Sequence, residues 1–163
     1  MELVDLVDAS GKIQKTEVPR NETEKYLDLH LQIAIAVAFN SEGKVLVQKR
    51  ALTKSTCPGD LDHTCGALKS GETPMVAINR EALEETGLVL SDLKVIDQRL
   101  NSYGRYRYLL VAKASGEPNG YDPEEVEWVR FILPEDLKNG KQSGELSFVG
   151  EFFEDMDLAL RNR

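Results

Sequence analysis

The sequence predicts an α+β chain in which a mixed β-sheet is covered by helices. Three observations carry that expectation. Short apolar runs rich in Val, Ile and Leu, punctuated by turn residues, recur along the chain. Two helical patterns, one central and one C-terminal, interrupt and close the series. The order is strands, a helix, strands, then a helix, which places helices against a mixed sheet. At 163 residues the chain is long enough to bury one sizeable core. A single domain over 1–163 is expected, with an N-terminal hairpin and connector at 1–29 and a core at 30–163.

Each element has a local reason. Leu3 to Val7, a turn at Ala9-Ser10-Gly11-Lys12, and Ile13 to Val18 read as a small hairpin. Pro19 to Asp28 is polar and reads as a connector or short helix. His30 to Phe39, rich in Ile, Val and Ala, reads as a buried strand. Asn40-Ser41-Glu42-Gly43 turns the chain, and Lys44 to Arg50 returns as its expected hairpin partner. A loop over Ala51 to Asp60 and a short extended piece over Leu61 to Leu68 follow. Thr73 to Thr86 is the clearest helix: Thr73 suits the N-cap, Pro74 the first turn, and Gly87 the left-handed position after the end. Val89 to Arg99, Tyr106 to Ala114 and Trp128 to Ile132 read as strands, and Pro134 to Leu137 as a helical turn. Apolar residues at 149, 152, 153, 156 and 160 predict an amphipathic helix over Phe148 to Leu160.

Composition excludes several functions. Twenty Lys and Arg against 28 Asp and Glu give a net charge of −8, which argues against nucleic-acid or anionic-membrane binding. A small phosphorylated ligand stays compatible, because metal ions screen carboxylates. No 18-residue apolar run offers a membrane span, and MELVDLVD has neither the basic nor the apolar region of a signal peptide. Cys57 and Cys65 form no disulfide framework, so free thiols in a reducing cytoplasm are expected.

The chemistry concentrates in GALKSGETPMVAINREALEETGL, residues 66–88. Glu81, Glu84 and Glu85 lie at i, i+3 and i+4, so a helix projects them from one face. Like charges there repel, and the C-terminal end of a helix disfavours anions. A hard divalent cation such as Mg²⁺ would compensate, since carboxylate oxygens are its preferred ligands. Arg80 can pair with Glu84 or reach back to Glu72. The bland alternative is a solvated acidic helix face.

The spacing of Gly66, Glu72, Arg80, Glu81, Glu84, Glu85, Gly87 and Leu88 resembles the Nudix box. At about 7% usage per residue type, seven fixed matches arise by chance in a chain this long roughly once in a million. Ala82 departs from the larger aliphatic residue usual there. The resemblance implies a Nudix-type α/β/α sandwich with a loop–helix–loop, and metal-dependent hydrolysis of a diphosphate linkage in a small nucleoside-diphosphate-like metabolite. It implies Mg²⁺ or Mn²⁺ on Glu81, Glu84, Glu85 and the Gly66 carbonyl, with Glu72 and Arg80 bracing the loop. Glu84 or Glu85 would be the general base, with Glu125 as an outside candidate whose alternative is an acidic surface loop. A homodimer is a fold-level expectation only.

Residues 1 to about 140 also resemble the subgroup related to isopentenyl-diphosphate isomerase. Cys65 falls on that enzyme's catalytic cysteine and His30 on one metal histidine. Another metal histidine falls on Ala67, and the later-strand glutamates fall near Asn101 to Arg107, where no carboxylate exists. The expectation is therefore a hydrolase, with isomerisation, or binding of a diphosphate ligand without turnover, as alternatives. Zinc on His30, His63, Cys57 and Cys65 matches no common structural spacing. Finally, Tyr103 to Tyr108 alternates aromatic and basic residues, placing Arg105 and Arg107 on one strand face. That face is either a solvated edge or an anion-binding wall for substrate.

Overall fold

The computed structural model describes all of residues 1–163. In chain order it contains β1 (Leu3–Val7), β2 (Ile13–Pro19), a 3₁₀ turn (Arg20–Lys25), β3 (His30–Phe39), β4 (Val45–Arg50), β5 (Leu61–Asp62) and β6 (Thr64–Ala67). Then follow α1 (Pro74–Thr86), β7 (Ser91–Leu100), β8 (Arg105–Lys113), β9 (Val126–Ile132), α2 (Pro134–Ser143) and α3 (Phe152–Asn162).

β3 is the spine of a nine-stranded sheet. One of its edges pairs in parallel with β8 from Leu31↔Arg105 to Phe39↔Lys113. Its other edge is served in succession by β1 at residues 30–31, by β6 at 33–36 and by β4 at Phe39 alone. The expected β3–β4 hairpin is thus joined only at its turn. β4 swings away to pair with β9 along Val45–Arg50, and β5 and β6 fill the fork. The turn itself is local chemistry: the Asn40 side-chain oxygen accepts from the backbone of Glu42 and Lys44.

Alternation along β3 decides the layers. Ala34, Ala36 and Ala38 pack with Ala77, Ile78 and Ala82 of α1. Ile35, Val37 and Phe39 pack with Leu137 of α2 and Phe152, Met156 and Ala159 of α3. Helices on both faces make an α/β/α sandwich, as the sequence predicts. No helix is long and apolar enough to cross a membrane.

α1 begins and ends as expected. Thr73 accepts from the Val76 backbone N–H at 3.3 Å, and Gly87 is left-handed at φ +74°. A side chain at Gly87 would also overlap the Asn119 carbonyl. α2 outruns the single turn expected, reaching Ser143; Gly140 in its last turn lets Leu146 approach closely. α3 starts later than expected. Residues 147–149 are held extended against β5, with Leu61 N donating to Ser147 O at 2.8 Å and Val149 N to Leu61 O at 3.1 Å. Backbone groups bonded to a strand cannot also close a helical turn.

Candidate active site at the β6–α1 loop

The β6–α1 segment builds one network from local residues. Arg80 donates from Nε and Nη2 to the two Glu72 oxygens at 2.8 and 2.9 Å, a bidentate pair. Its Nη1 donates to Glu81 at 2.7 Å and its Nη2 to the Ala67 carbonyl at 3.0 Å. Glu72 in turn accepts the Lys69 backbone N–H at 2.8 Å. The carboxylate of Glu72 is held below its usual pKa, chiefly by the Arg80 hydrogen bonds. Arg80 thus ties the loop to the helix, as the spacing suggests.

The three glutamates are not equivalent. Glu81 and Glu85, four apart, turn toward the sheet, whereas the Glu84 side chain is 57% exposed, 3.7 Å from Arg80. Gly66 makes room for Glu81, because a Cβ there would overlap its carboxyl group. Burial pushes Glu81 up. Burial, with Glu81 and Asp62 nearby, pushes Glu85 to about 8, although Gln48 Nε2 donates to it at 2.7 Å. The Gln48 Oε1 is itself buried without a partner. No three carboxylate, His or Cys side chains converge on one point in this arrangement, since Glu81 is turned to Arg80 and Glu85 to Gln48. The donors still suit a hard cation: inward carboxylates, a glycine backbone without a side chain, and an orphaned amide oxygen.

Across β5 and β6 opens a cleft of about 460 Å³; no box residue lines it, and Cys65 and Asp62 on its wall are its links to Glu85. Asp62, Cys65, Tyr103, Arg105, Glu151 and Asp155 are on its walls. A larger cavity of about 730 Å³ lies at the far end of β3, beside Phe39 and Lys94, and contains no box residue. Arg105 is exposed and faces the cleft. Arg107 corrects the sequence reading. β8 is an interior strand, and Arg107 is 0% exposed, with its guanidinium on Glu151 and on Asp155 at 2.6 Å. It has no surface to offer a substrate; it anchors two carboxylates of the cleft wall. Glu125 precedes β9 with its carboxylate on Lys54, and the groups acting most on Glu85 do not include it.

The remaining candidates resolve separately. His30 Nδ1 lies 3.0 Å from the Gly104 carbonyl. His63 stacks on Phe152 at 3.9 Å between ring centroids, and burial lowers its pKa to about 4. Burial, reinforced by Asp62, Glu85 and Glu81, pushes the Cys65 thiol well above its usual pKa. The thiol therefore stays protonated and poorly nucleophilic. Cys57 is exposed. No zinc cluster forms from these four.

Sequence reasoning missed Gln48, Asp62, Glu151 and Asp155. Two signals were available. Gln48 interrupts the buried run Val45-Leu46-Val47, and Asp155 falls on the apolar stripe of α3 between Phe152 and Ala159.

Comparison with known proteins shows the family. The model of the NUDIX domain family matches residues 29–152. An uncharacterized Nudix hydrolase of Listeria innocua is 32% identical over 99% of this chain and 96% of its own. An isopentenyl-diphosphate Delta-isomerase of Clavibacter sepedonicus is 33% identical over 83% of this chain and 76% of the isomerase. A crystal structure of a Deinococcus radiodurans protein has the same fold, with a TM-score of 0.74, 24% identity and 98% coverage of both chains. With most of the chain inside the family match, and the box residues gathered around Arg80, the chain belongs to the Nudix family.

Proposed function

We propose that this chain hydrolyses a diphosphate linkage in a small nucleoside-diphosphate-like metabolite, with Mg²⁺ or Mn²⁺ as cofactor. The observation that carries the reading is the pair of inward carboxylates, Glu81 and Glu85, against the bare backbone of Gly66, with Gln48 Oε1 left unpartnered beside them. Glu81, Glu84, Glu85 and the Gly66 carbonyl would hold the ion. Bound there, it would screen phosphate charge and make water a stronger nucleophile at neutral pH.

The chain's own residues do the rest. Arg80 holds Glu81 and the loop in register. Glu85, freed of its proton when the ion binds, would take a proton from the attacking water. Water adds to one phosphorus as the bridging P–O bond breaks. Arg105, on the cleft wall, would pair with the anionic leaving portion. Glu84, more exposed, is the other candidate base, and Glu125 would have to leave Lys54 to take part.

The test is a hydrolysis screen with Mg²⁺ or Mn²⁺ over nucleoside diphosphate sugars, dinucleoside polyphosphates, nucleoside triphosphates, coenzyme A, NADH and isopentenyl diphosphate. A hit abolished by Glu85→Gln supports the reading. Tight binding across the panel without turnover would replace it with a ligand sensor. Isomerisation is a second reading, favoured by the place of Cys65 on the cleft wall. Ala67, the carboxylate-free stretch 101–107 and the protonated thiol stand against it. Isomerisation of isopentenyl diphosphate that vanishes in Cys65→Ala would establish it.

A further inference from the structure

We propose that Asp5, on the N-terminal hairpin, is a positioning residue for the carboxylate site: it holds the loop between β6 and α1 so that Arg80 keeps Glu81 in place. This role rests on the reading of that site as the metal centre. Asp5 also lies outside the segment that the family model matches.

Asp5 is out of character with its strand. Its neighbours Val4 and Leu6 are 0% and 1% exposed, and Asp5 itself is only 7% exposed. Burying a carboxylate is costly unless hydrogen bonds replace the water it loses. Those bonds are present, and most leave the hairpin. Oδ1 accepts from Ser70 Oγ at 2.5 Å and from Glu17 N at 3.0 Å, and Oδ2 accepts from Gly71 N at 2.9 Å. The Asp5 carbonyl accepts from Gln32 Nε2 at 3.1 Å, and Ser70 N donates to Leu3 O at 2.8 Å. No cation pairs with it; burial works against the charge, and the Ser70, Glu17 and Gly71 bonds outweigh burial.

The loop end of this clamp leads straight to the site. Gly71 is left-handed at φ +80° and turns its N–H to Asp5. The next residue, Glu72, takes both donors of the Arg80 fork, and Arg80 donates to Glu81. From Asp5 to Glu81 every link is therefore a hydrogen bond or a peptide bond. Had Asp5 served only to stabilise the hairpin, its oxygens would bond within β1 and β2, yet only the Glu17 bond does so.

The experiment measures Mn²⁺ affinity by titration, at a temperature where every variant is folded by circular dichroism. The set is wild type, Asp5→Ala, Asp5→Asn, Arg80→Ala, the Asp5→Ala/Arg80→Ala double variant, and Leu6→Ala as a control for hairpin stability. Asp5→Ala should weaken Mn²⁺ binding about tenfold or more, the usual scale for residues that orient metal ligands. Asp5→Asn, which keeps one acceptor oxygen, should fall between, and it carries the test if the alanine variant does not fold. Leu6→Ala should lose stability with its Mn²⁺ affinity kept. The double variant should bind no worse than Arg80→Ala, because the path is already cut. Equal weakening in Asp5→Ala and Leu6→Ala, additive losses in the double variant, or unchanged affinity in Asp5→Ala would each overturn the role. Absence of Mn²⁺ binding by the wild-type chain would instead overturn the reading of the site itself.

Discussion

Two arginines, Arg80 and Arg107, each hold a pair of carboxylates, and they differ in how those partners are reached. Arg80 takes Glu72 and Glu81, both within eight residues of it. Arg107 takes Glu151 and Asp155, 44 and 48 residues away. Arg80 is 20% exposed at the rim of the site, whereas Arg107 is 0% exposed between sheet and helix. A local network shows in the spacing of a sequence. A distant one exists only after the chain has folded. The difference also sorts the proposed function from scaffold: the half-buried arginine would orient reacting groups, and the fully buried one fixes a wall.

That distinction can be broken at its strongest point first. Glu85→Gln should lower kcat by a hundredfold or more, about the scale of losing a general base, while the far-ultraviolet circular dichroism stays that of the wild type. Undiminished turnover would remove the box from the chemistry.

Arg107→Met should destabilise by about 3–5 kcal/mol in urea denaturation, because the buried Asp155 loses its partner and Glu151 keeps only Arg99, at 3.6 Å. Arg80→Met, at a more exposed site, should cost less stability and more activity. Equal stability losses would erase the contrast between the two arginines.

A smaller effect is expected from pH. Glu85 rests at about 8 without a metal, so an ion must displace a proton below that value. Mn²⁺ affinity should rise up to about tenfold per pH unit from pH 6 toward 8, then level. Calorimetry in buffers of different ionisation enthalpy would count the protons released.

The smallest effect lies on the wall side. Burial holds His63 at about 4 and Asp62 at about 6. Between pH 4 and 6.5 the unfolded histidine binds the extra proton, so this residue makes stability rise with pH. Asp62 does the reverse between its usual 3.8 and about 6, since there the folded state binds the extra proton. The rising His63 slope offsets only one of two falling ones, because Glu85, pushed up to about 8, also binds its extra proton in the folded state, so wild-type stability should fall with pH between about 4.5 and 6. Asp62→Asn should remove one falling slope, up to about 1.4 kcal/mol per pH unit, and leave a nearly flat profile over pH 4.5–6 in urea melts at stepped pH.

Much of this was legible in the residues. The α1 helix could be read to its ends, since Thr73, Pro74 and Gly87 act within a turn of themselves. So could the β1–β2 hairpin and the extent of β3. The divergence of β4 from β3 could not, because pairing depends on β6 and β9, which arrive later in the chain. Nor could the later start of α3, since the strand contacts of residues 147–149 with β5 override an apolar helical period.

By itself the sequence determined the box: helix geometry places Arg80, Glu81 and Glu85 near one another on α1, with Glu72 in the loop just before it. Only the tertiary structure decided which glutamates turn inward, that Arg107 is buried rather than solvated, and that α3 and β5 wall one cleft. Burial and charge pairing over long sequence separations arise from the whole packed sheet, and no local pattern encodes them.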